Sequence, residues 1–489
     1  MTGGFLIQYA NRATTPEYRV ATFVAGEPRL TWVSLFFDNF PQADVYLVGG
    51  TLRDVLLGMI PTDIDIVVRN VPLKKLQGWL MSHGAADFVG KRFGTFKFAP
   101  HGTAGQLPLD IAHPRKEFLS PVHKSGRSSM EVEYDSHLPI KKDLARRDFT
   151  INAMAYDIRT GHLIDPYDGL VDLQSGLICA VLNPAQRFFE DATRMLRGLR
   201  FASQLGFSIE ADTWEALKNN LPLLNNTDIT DEGTHAYVVP REAIGKEFLL
   251  GYNAHPTHTL ELWKHAGALE MFMPAIADLE NIVLRDGSSA WTKTLQVLHL
   301  LNKPSLLFEH GLEKPSPTAL VAALSSFVDG NASKLAFDVC KKLYFHQFPS
   351  GHRAEVDCKN VLWILDHLYD FDEINPASMR PSVFEKMFCS MRGSDLLLLM
   401  HAVFIASGSH SLSRERLHVA LRIANKMCHF EGGHARATKL ISGADISALG
   451  VPTGPVYRDL MEQVRDAQLA GKISNKKEAL ELLRDLISK

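Results

Sequence analysis

VYLVGGTLRDVLLGMIPTDIDIVV, residues 45–68, decides how the chain is read. Val45–Val48 is a short apolar strand that runs into Gly49-Gly50. A short helix is expected next, with Arg53 and Asp54 near its start, broken by Gly58 and Pro61. A second strand then carries Asp63 and Asp65, with Ile64, Ile66 and Val67 supplying buried contacts. Residues two apart on a strand share a face, so the two carboxylates project together. Held side by side they repel unless a cation lies between them. Magnesium suits such a pair, because it binds through one or two carboxylates plus substrate phosphates. The glycine turn leaves backbone N–H groups at a helix N-terminus for phosphate oxygens. The stretch therefore predicts a metal-dependent site acting on a nucleoside triphosphate. Taken singly, a D-x-D and a G-G turn are common structural features; their order and spacing carry the reading.

Length and composition set the frame. The 489 residues allow three or four domains, and 46% hydrophobic with 22% charged residues is ordinary globular composition. No apolar run reaches the eighteen residues of a membrane span, and the N-terminus lacks the basic and apolar regions of a signal peptide, so a cytoplasmic protein without a membrane partner is expected. The five cysteines are scattered without a C-x-x-C pair, which argues against structural zinc and a disulfide framework. With a formal net charge of −3, a nucleic-acid partner has to be held by local basic patches: Lys141-Lys142, Arg146-Arg147 and the run from Arg187 to Arg200.

Outward from the double-aspartate strand, residues 1–30 read as a leader, and residues 31–40 (TWVSLFFDNF) as a helix that props the first strand. Val71–His83 is an amphipathic helix; short strands are expected at 86–90, 95–99 and 107–112. The last places Asp110 on one face, where it reads equally as a third metal ligand or as an exposed strand acid; Arg115, just beyond, is within reach of phosphate. Residues 116–137 have loop composition. In 143–157 (DLARRDFTINAMAYD), Arg147 offers a planar fork to phosphate and Asp148 an acceptor for a ribose hydroxyl, or the group is an ion-paired helix start. A turn-rich connector, 164–178, closes the first domain.

From Arg187 a continuous helix is expected, with Asp191, Arg194, Arg197 and Arg200 every third residue and Met195, Leu196 and Leu199 packed inward. Three arginines with only Glu190 and Asp191 nearby predict an external anion. Beyond about residue 205 the apolar spacing is helical throughout, ending in two amphipathic helices in 444–489.

These motifs resemble a known family. Val45–Val68 is similar to the G-G-x-x-R-D…D-x-D signature of the nucleotidyltransferase superfamily. LARRDFTINA (144–153) resembles R-R-D-F-T-x-N-A, and FEDATRMLRGLRF (189–201) resembles E-D-x-x-R-x-x-R-x-x-R-F. Together they resemble the class II branch, the CCA-adding tRNA nucleotidyltransferases and bacterial poly(A) polymerases. The resemblance implies an α/β nucleotidyltransferase head with a small mixed sheet (31–175), then an all-α neck (176–250), body (251–440) and tail (441–489). It implies that Asp63 and Asp65 hold Mg2+; Asp110 is a candidate further catalytic acid from its strand position alone. Gly49, Gly50, Arg53, Arg147 and Asp148 would bind the nucleotide, and Asp191 and Arg194 would present an edge to cytosine or adenine. Arg197 and Arg200 would lie on the triphosphate side. The implied activity is template-independent addition of C and A to tRNA 3′ ends from CTP and ATP. Poly(A) synthesis, A-only or CC-only addition, and a catalytically silent RNA-binding protein are the alternatives. Ala192-Thr193 replaces the apolar pair many relatives place after E-D, and no His-Asp dipeptide occurs, so phosphohydrolase activity is not expected.

Overall fold

Strand β1 (Asp44–Val48) sits near the middle of a seven-stranded mixed sheet, because its residues are buried on both faces. The strands that follow are β2 (Asp65–Arg69), β3 (Gly84–Val89), β4 (Thr95–Pro100), β5 (Leu109–Ala112), β6 (Arg115–Leu119), β7 (Met130–Tyr134), β8 (Ala155–Asp157) and β9 (Leu163–Ile164). The sheet order is β3-β4-β5-β2-β1-β8-β9, with β2 and β5 parallel and the other neighbours antiparallel. The computed structural model describes residues 15–89, 94–119, 130–229, 234–303, 314–328, 330–345, 355–408, 411–428 and 438–488. They fall into two compact units, residues 1–267 and 268–489.

In the first unit, period-two alternation divides β2 between two cores. Ile66 and Val68 join Val45 and Leu47 in the main core, while Val67 packs with Tyr46, Val48 and Leu144 on the opposite face. An aromatic cluster fills the main core beneath the helices α2 (Trp32–Asn39) and α4 (Leu73–His83). Trp32 stands edge-on to Phe36 and Phe98 at 5.5 and 5.6 Å, and Trp79 edge-on to Phe36 at 4.9 Å. Aromatic edges meeting faces at these distances add to plain burial.

Several expectations change. Residues 16–26 of the leader form helix α1, which buries Val20 completely and donates from Arg19 to the Leu56 carbonyl at 2.6 Å. The expected loop 116–137 contains the antiparallel hairpin of β6 and β7; residues 120–129 lie outside the described residues. Its second strand, MEVEY, alternates apolar and polar residues, a period that the polar composition hides. The helix expected from Arg187 is two: α7 (Pro184–Glu190) and α8 (Thr193–Leu205), separated at Asp191, whose backbone is extended (φ −145°, ψ 98°). The stretch beyond 205 is not wholly helical. Ser208–Ile209 pairs with Leu177–Ile178, and Thr227–Ile229 with His235–Tyr237. These pairs of two or three residues are too short for an alternation to register.

The second unit is helical among the described residues. Helix 391–407 (MRGSDLLLLMHAVFIAS) is buried along most of its length, as its unbroken leucine run requires. A buried ion pair between Arg465 (Nε to Glu385 Oε2, 2.9 Å) and Glu385 ties helix Pro455–Leu469 to helix Pro381–Phe388. Cys389 is disulfide-bonded, which the scattered cysteines gave no reason to expect. No single helix among the described residues is long and apolar enough to cross a membrane.

Candidate active site

The D-x-D segment is fixed by a residue that the sequence reading passed over. The Thr51 hydroxyl, on α3 (Gly49–Leu56), donates to the Asp63 carbonyl at 3.0 Å and accepts from the Asp65 amide at 2.8 Å. Asp63 is therefore in the bend before β2, not on the strand, and is exposed; Asp65 is the first strand residue. Across the parallel pair Asp65 stands in register with Asp110, whose amide donates to the Ile64 carbonyl at 2.8 Å. The sheet thus brings Asp110 beside Asp65. On its other side Asp110 faces Lys97 of β4, whose ammonium lies 2.6 and 2.8 Å from its two carboxylate oxygens. No group of three such acids or other ligands among the described residues already converges on a single metal position.

Gly49 has φ +65°, a left-handed conformation that glycine adopts freely. A Cβ there would lie 2.8 Å from Arg147 Nη1 and 3.2 Å from Asp65 Oδ2. Only glycine lets the turn come this close to both groups. Helix α3 starts at Gly49 itself, so its first N–H groups lack intrahelical partners beside Asp65. Arg53 is consequently in the last turn of α3, not near its start. It is buried, with its guanidinium on Asp54 (2.6 and 2.8 Å) and on Asn152 Oδ1 (2.9 Å).

Beneath the glycine turn, the wholly buried Asp143 of helix α5 (Ile140–Ala145) accepts from Arg146 Nε and Nη2 at 2.9 and 2.8 Å, with Arg147 Nη2 at 3.5 Å. Asp148 is also buried. Its Oδ1 accepts from the Phe149 amide (2.8 Å) and Asn152 Nδ2 (3.1 Å), and its Oδ2 takes Arg197 at 2.6 Å. Burial alone would raise its pKa, but the Arg197 charge and these hydrogen bonds hold the carboxyl well below the usual range.

On α8 the arginines are already paired. Arg194 meets Glu190 at 3.2 Å and the Arg146 carbonyl at 2.9 Å; Arg197 meets Asp148; Arg200 meets Glu247 of helix Arg241–Tyr252 at 2.5 Å. The expectation that they lack internal partners is therefore wrong. Asp148 and Glu247 lie 49 and 47 residues away in sequence and were invisible to a local count of charges. Asp191 accepts from the Thr193 amide and hydroxyl (3.0 and 2.5 Å), which turns the chain into α8.

All of the candidate residues line one cavity of about 580 Å³: Gly49, Gly50, Arg53, Asp63, Asp65, Asp110, Arg147, Asp148, Asp191, Arg194, Arg197 and Arg200, with Arg115 and Phe201. Burial, with the neighbouring Asp110 and Asp63 charges, pushes the Asp65 carboxyl up to about 6 against the opposing effect of Arg147. That is how crowded carboxylates behave when no cation neutralises them, and the all-oxygen donors Asp63 and Asp65 fit a hard divalent ion. Thr51, Lys97, Asp143, Asn152 and Glu247 are the supporting residues that the sequence reading missed. Of these Thr51, Asp143 and Asn152 fall inside quoted stretches, and nothing in their spacing separates them from helix or turn filler.

Comparison with known proteins places the chain in a family. Residues 45–179 match the family model described as the poly A polymerase head domain. The chain is 39% identical over 359 residues to a CCA-adding enzyme of Lacticaseibacillus paracasei, covering 72% of this chain and 82% of that one. It is 36% identical over 269 residues to the CCA-adding enzyme of Ligilactobacillus salivarius, where the match spans 53% of this chain and 60% of the relative. Among solved structures, the Bacillus stearothermophilus CCA-adding enzyme in complex with CTP superposes with a TM-score of 0.58 at 21% identity, over 97% of this chain and 98% of that one. The Thermotoga maritima CCA-adding enzyme complexed with tRNA gives 0.55 at 20% identity, over 96% and 98%. At these identities the structural likeness speaks for the fold.

Proposed function

This chain belongs to the class II tRNA nucleotidyltransferase family of CCA-adding enzymes, and we propose that it adds C and A to tRNA 3′ ends from CTP and ATP without a template. The observation that carries the proposal is the shared cavity: the acids Asp63, Asp65 and Asp110 and the Asp191–Arg194 pair line the same space. A transferase that chooses its base through protein side chains needs both in one site.

In this reading Asp63 and Asp65 hold magnesium, which when bound neutralises phosphate charge and favours the ionised 3′-hydroxyl. Gly49 leaves room for phosphate oxygens against the first amides of α3, and Arg147 lies beside Asp65 to receive negative charge. Cytosine and adenine share an exocyclic amine donor. Asp191 is the acceptor for that amine, and Arg194 the donor to the neighbouring ring nitrogen or carbonyl. Arg194 is held on three sides, by Glu190 and the Arg187 and Arg146 carbonyls, so its guanidinium is pre-set when a base arrives. Catalysis then comes from positioning and charge stabilisation, as in phosphoryl transfer generally. ATP, CTP and tRNA meet in the cytoplasm, the compartment proposed for the reaction.

Three RNAs test this: tRNA ending at the discriminator base, tRNA ending in CC, and unstructured RNA, each with labelled CTP or ATP. CTP incorporation on the first and a single A on the second are expected. Long A-tails on the unstructured RNA would instead identify a poly(A) polymerase, and no incorporation with any RNA would leave a binding protein.

A further inference from the structure

Phe201 closes α8's run of arginines and is buried at the wall of the nucleotide cavity. Three guanidinium carbons surround its ring: Arg200 at 4.1 Å, Arg53 at 5.0 Å and Arg197 at 5.3 Å from the centroid. The ring stands edge-on to Phe149 at 6.0 Å, which locks its orientation. Arg53 comes from α3, the helix that carries the glycine turn; the other two come from α8. The ring is thus a common neighbour of cations from two helices that reach it from opposite ends of the site's sequence.

Three like charges around one side chain repel one another. Each has a carboxylate partner, Asp54, Asp148 or Glu247, but each carboxylate restrains its own arginine only. The aromatic ring of Phe201 is a group that all three approach within the usual cation–π distance of about 6 Å. Its quadrupole attracts a guanidinium without neutralising it, so the ring restricts where each arginine stands without adding a further negative charge to the carboxylate each already meets. A carboxylate in the same place would compete with phosphate; a leucine would fill the volume and offer no attraction.

We propose that Phe201 is a positioning residue for the triphosphate. Its ring face holds Arg53, Arg197 and Arg200 as one preformed anion-binding wall that links α3 to α8. This rests on the reading of the cavity as a nucleotide site, and the test separates the two.

The probe is inorganic tripolyphosphate, measured by calorimetry on the full chain with Phe201 replaced by mono-, di- and trifluorophenylalanine, and on Phe201→Leu. Fluorine withdraws electron density from the ring face with little change in size, so the variants fold alike. Tripolyphosphate affinity is expected to fall stepwise with fluorine number and by roughly tenfold in Phe201→Leu. CTP turnover in the same series is expected to show a rising KM with kcat changed less than about twofold. Equal tripolyphosphate affinity across the fluorinated series, with or without a defect in Phe201→Leu, would overturn the proposal and leave the ring a packing element. A fluorine-dependent fall in tripolyphosphate affinity across the series, together with wild-type protein that incorporates neither CTP nor ATP, would uphold the wall and refute the transferase reading.

Discussion

Asp148 and Arg197 form a buried-side ion pair across 49 residues of chain, with Arg197 Nε and Nη2 at 2.7 and 2.6 Å from a single carboxylate oxygen. The pair fastens the R-R-D segment at the end of α5 to the middle of α8. Substituting Asp148→Asn keeps the shape and leaves Arg197 facing a neutral amide. Breaking a buried pair costs about 3–5 kcal/mol, and with Arg197 37% exposed about 2 kcal/mol is expected. Urea unfolding should show a lower midpoint at unchanged slope. Because the folded-state pKa of Asp148 is depressed, the stabilisation is complete above the unfolded value near about 4 and is lost as pH falls toward the folded one. The gap between wild type and Asp148→Asn should therefore be full at pH 7, begin to narrow below about pH 4 and keep narrowing in stronger acid; a gap that widens as pH falls below about 4 would contradict the assignment.

Asp65 behaves oppositely. Its raised pKa of about 6 means that its contribution to stability is complete below the unfolded value and is lost as pH rises through 6. Metal-free Asp65→Asn is expected to be more stable than wild type at pH 7.5 and to bind no Mn2+ or Mg2+ at this site. In the wild type a proton competes with the ion, so divalent affinity should weaken about tenfold per pH unit below 6. Titration with Mn2+ from pH 5 to 7.5 checks this, and a flat profile would remove Asp65 from the site.

Lys97 puts a tethered cation on Asp110 and lowers the charge density around Asp65. Lys97→Met takes that charge away from the acids. Divalent-cation affinity measured without nucleotide is expected to tighten by about three- to tenfold, a modest effect because the lysine is partly exposed. Unchanged affinity would make Lys97–Asp110 a surface ion pair without influence on the metal.

Gly198 lets α8 approach the head. A Cβ there would lie 2.9 Å from Cζ of Phe149, a ring with no exposed surface and no room to retreat. Gly198→Ala is expected to cost about 1–3 kcal/mol through overpacking, with Tm falling about 2–4 °C per kcal/mol. A melting temperature equal to wild type would show that the interface can yield.

The sequence alone determined the strand–glycine turn–helix–strand unit, because its signals are local: apolar period, turn glycines and two acids two residues apart. Asp63, Asp65, Arg147, Asp191 and Arg194 could be named as candidates for a similar reason, since each stands in a short motif, and the structure brings all five to one cavity. Asp110 was left open between ligand and exposed acid, and only the parallel register with Asp65 set it beside the pair. The pairing of the α8 arginines, the Thr51 clamp, the Lys97 counter-charge and the aromatic wall at Phe201 were decided by tertiary structure. Apart from Arg194–Glu190 and the contacts of Phe201 with Arg197 and Arg200 on its own helix, the partners are separated by 12 to 148 residues, and no local period encodes which distant charge or ring a side chain will meet. The ambiguity of the D-x-D had the same origin: an acid's environment, not its spacing, sets whether it is an ion-pair partner, a metal ligand or a base reader.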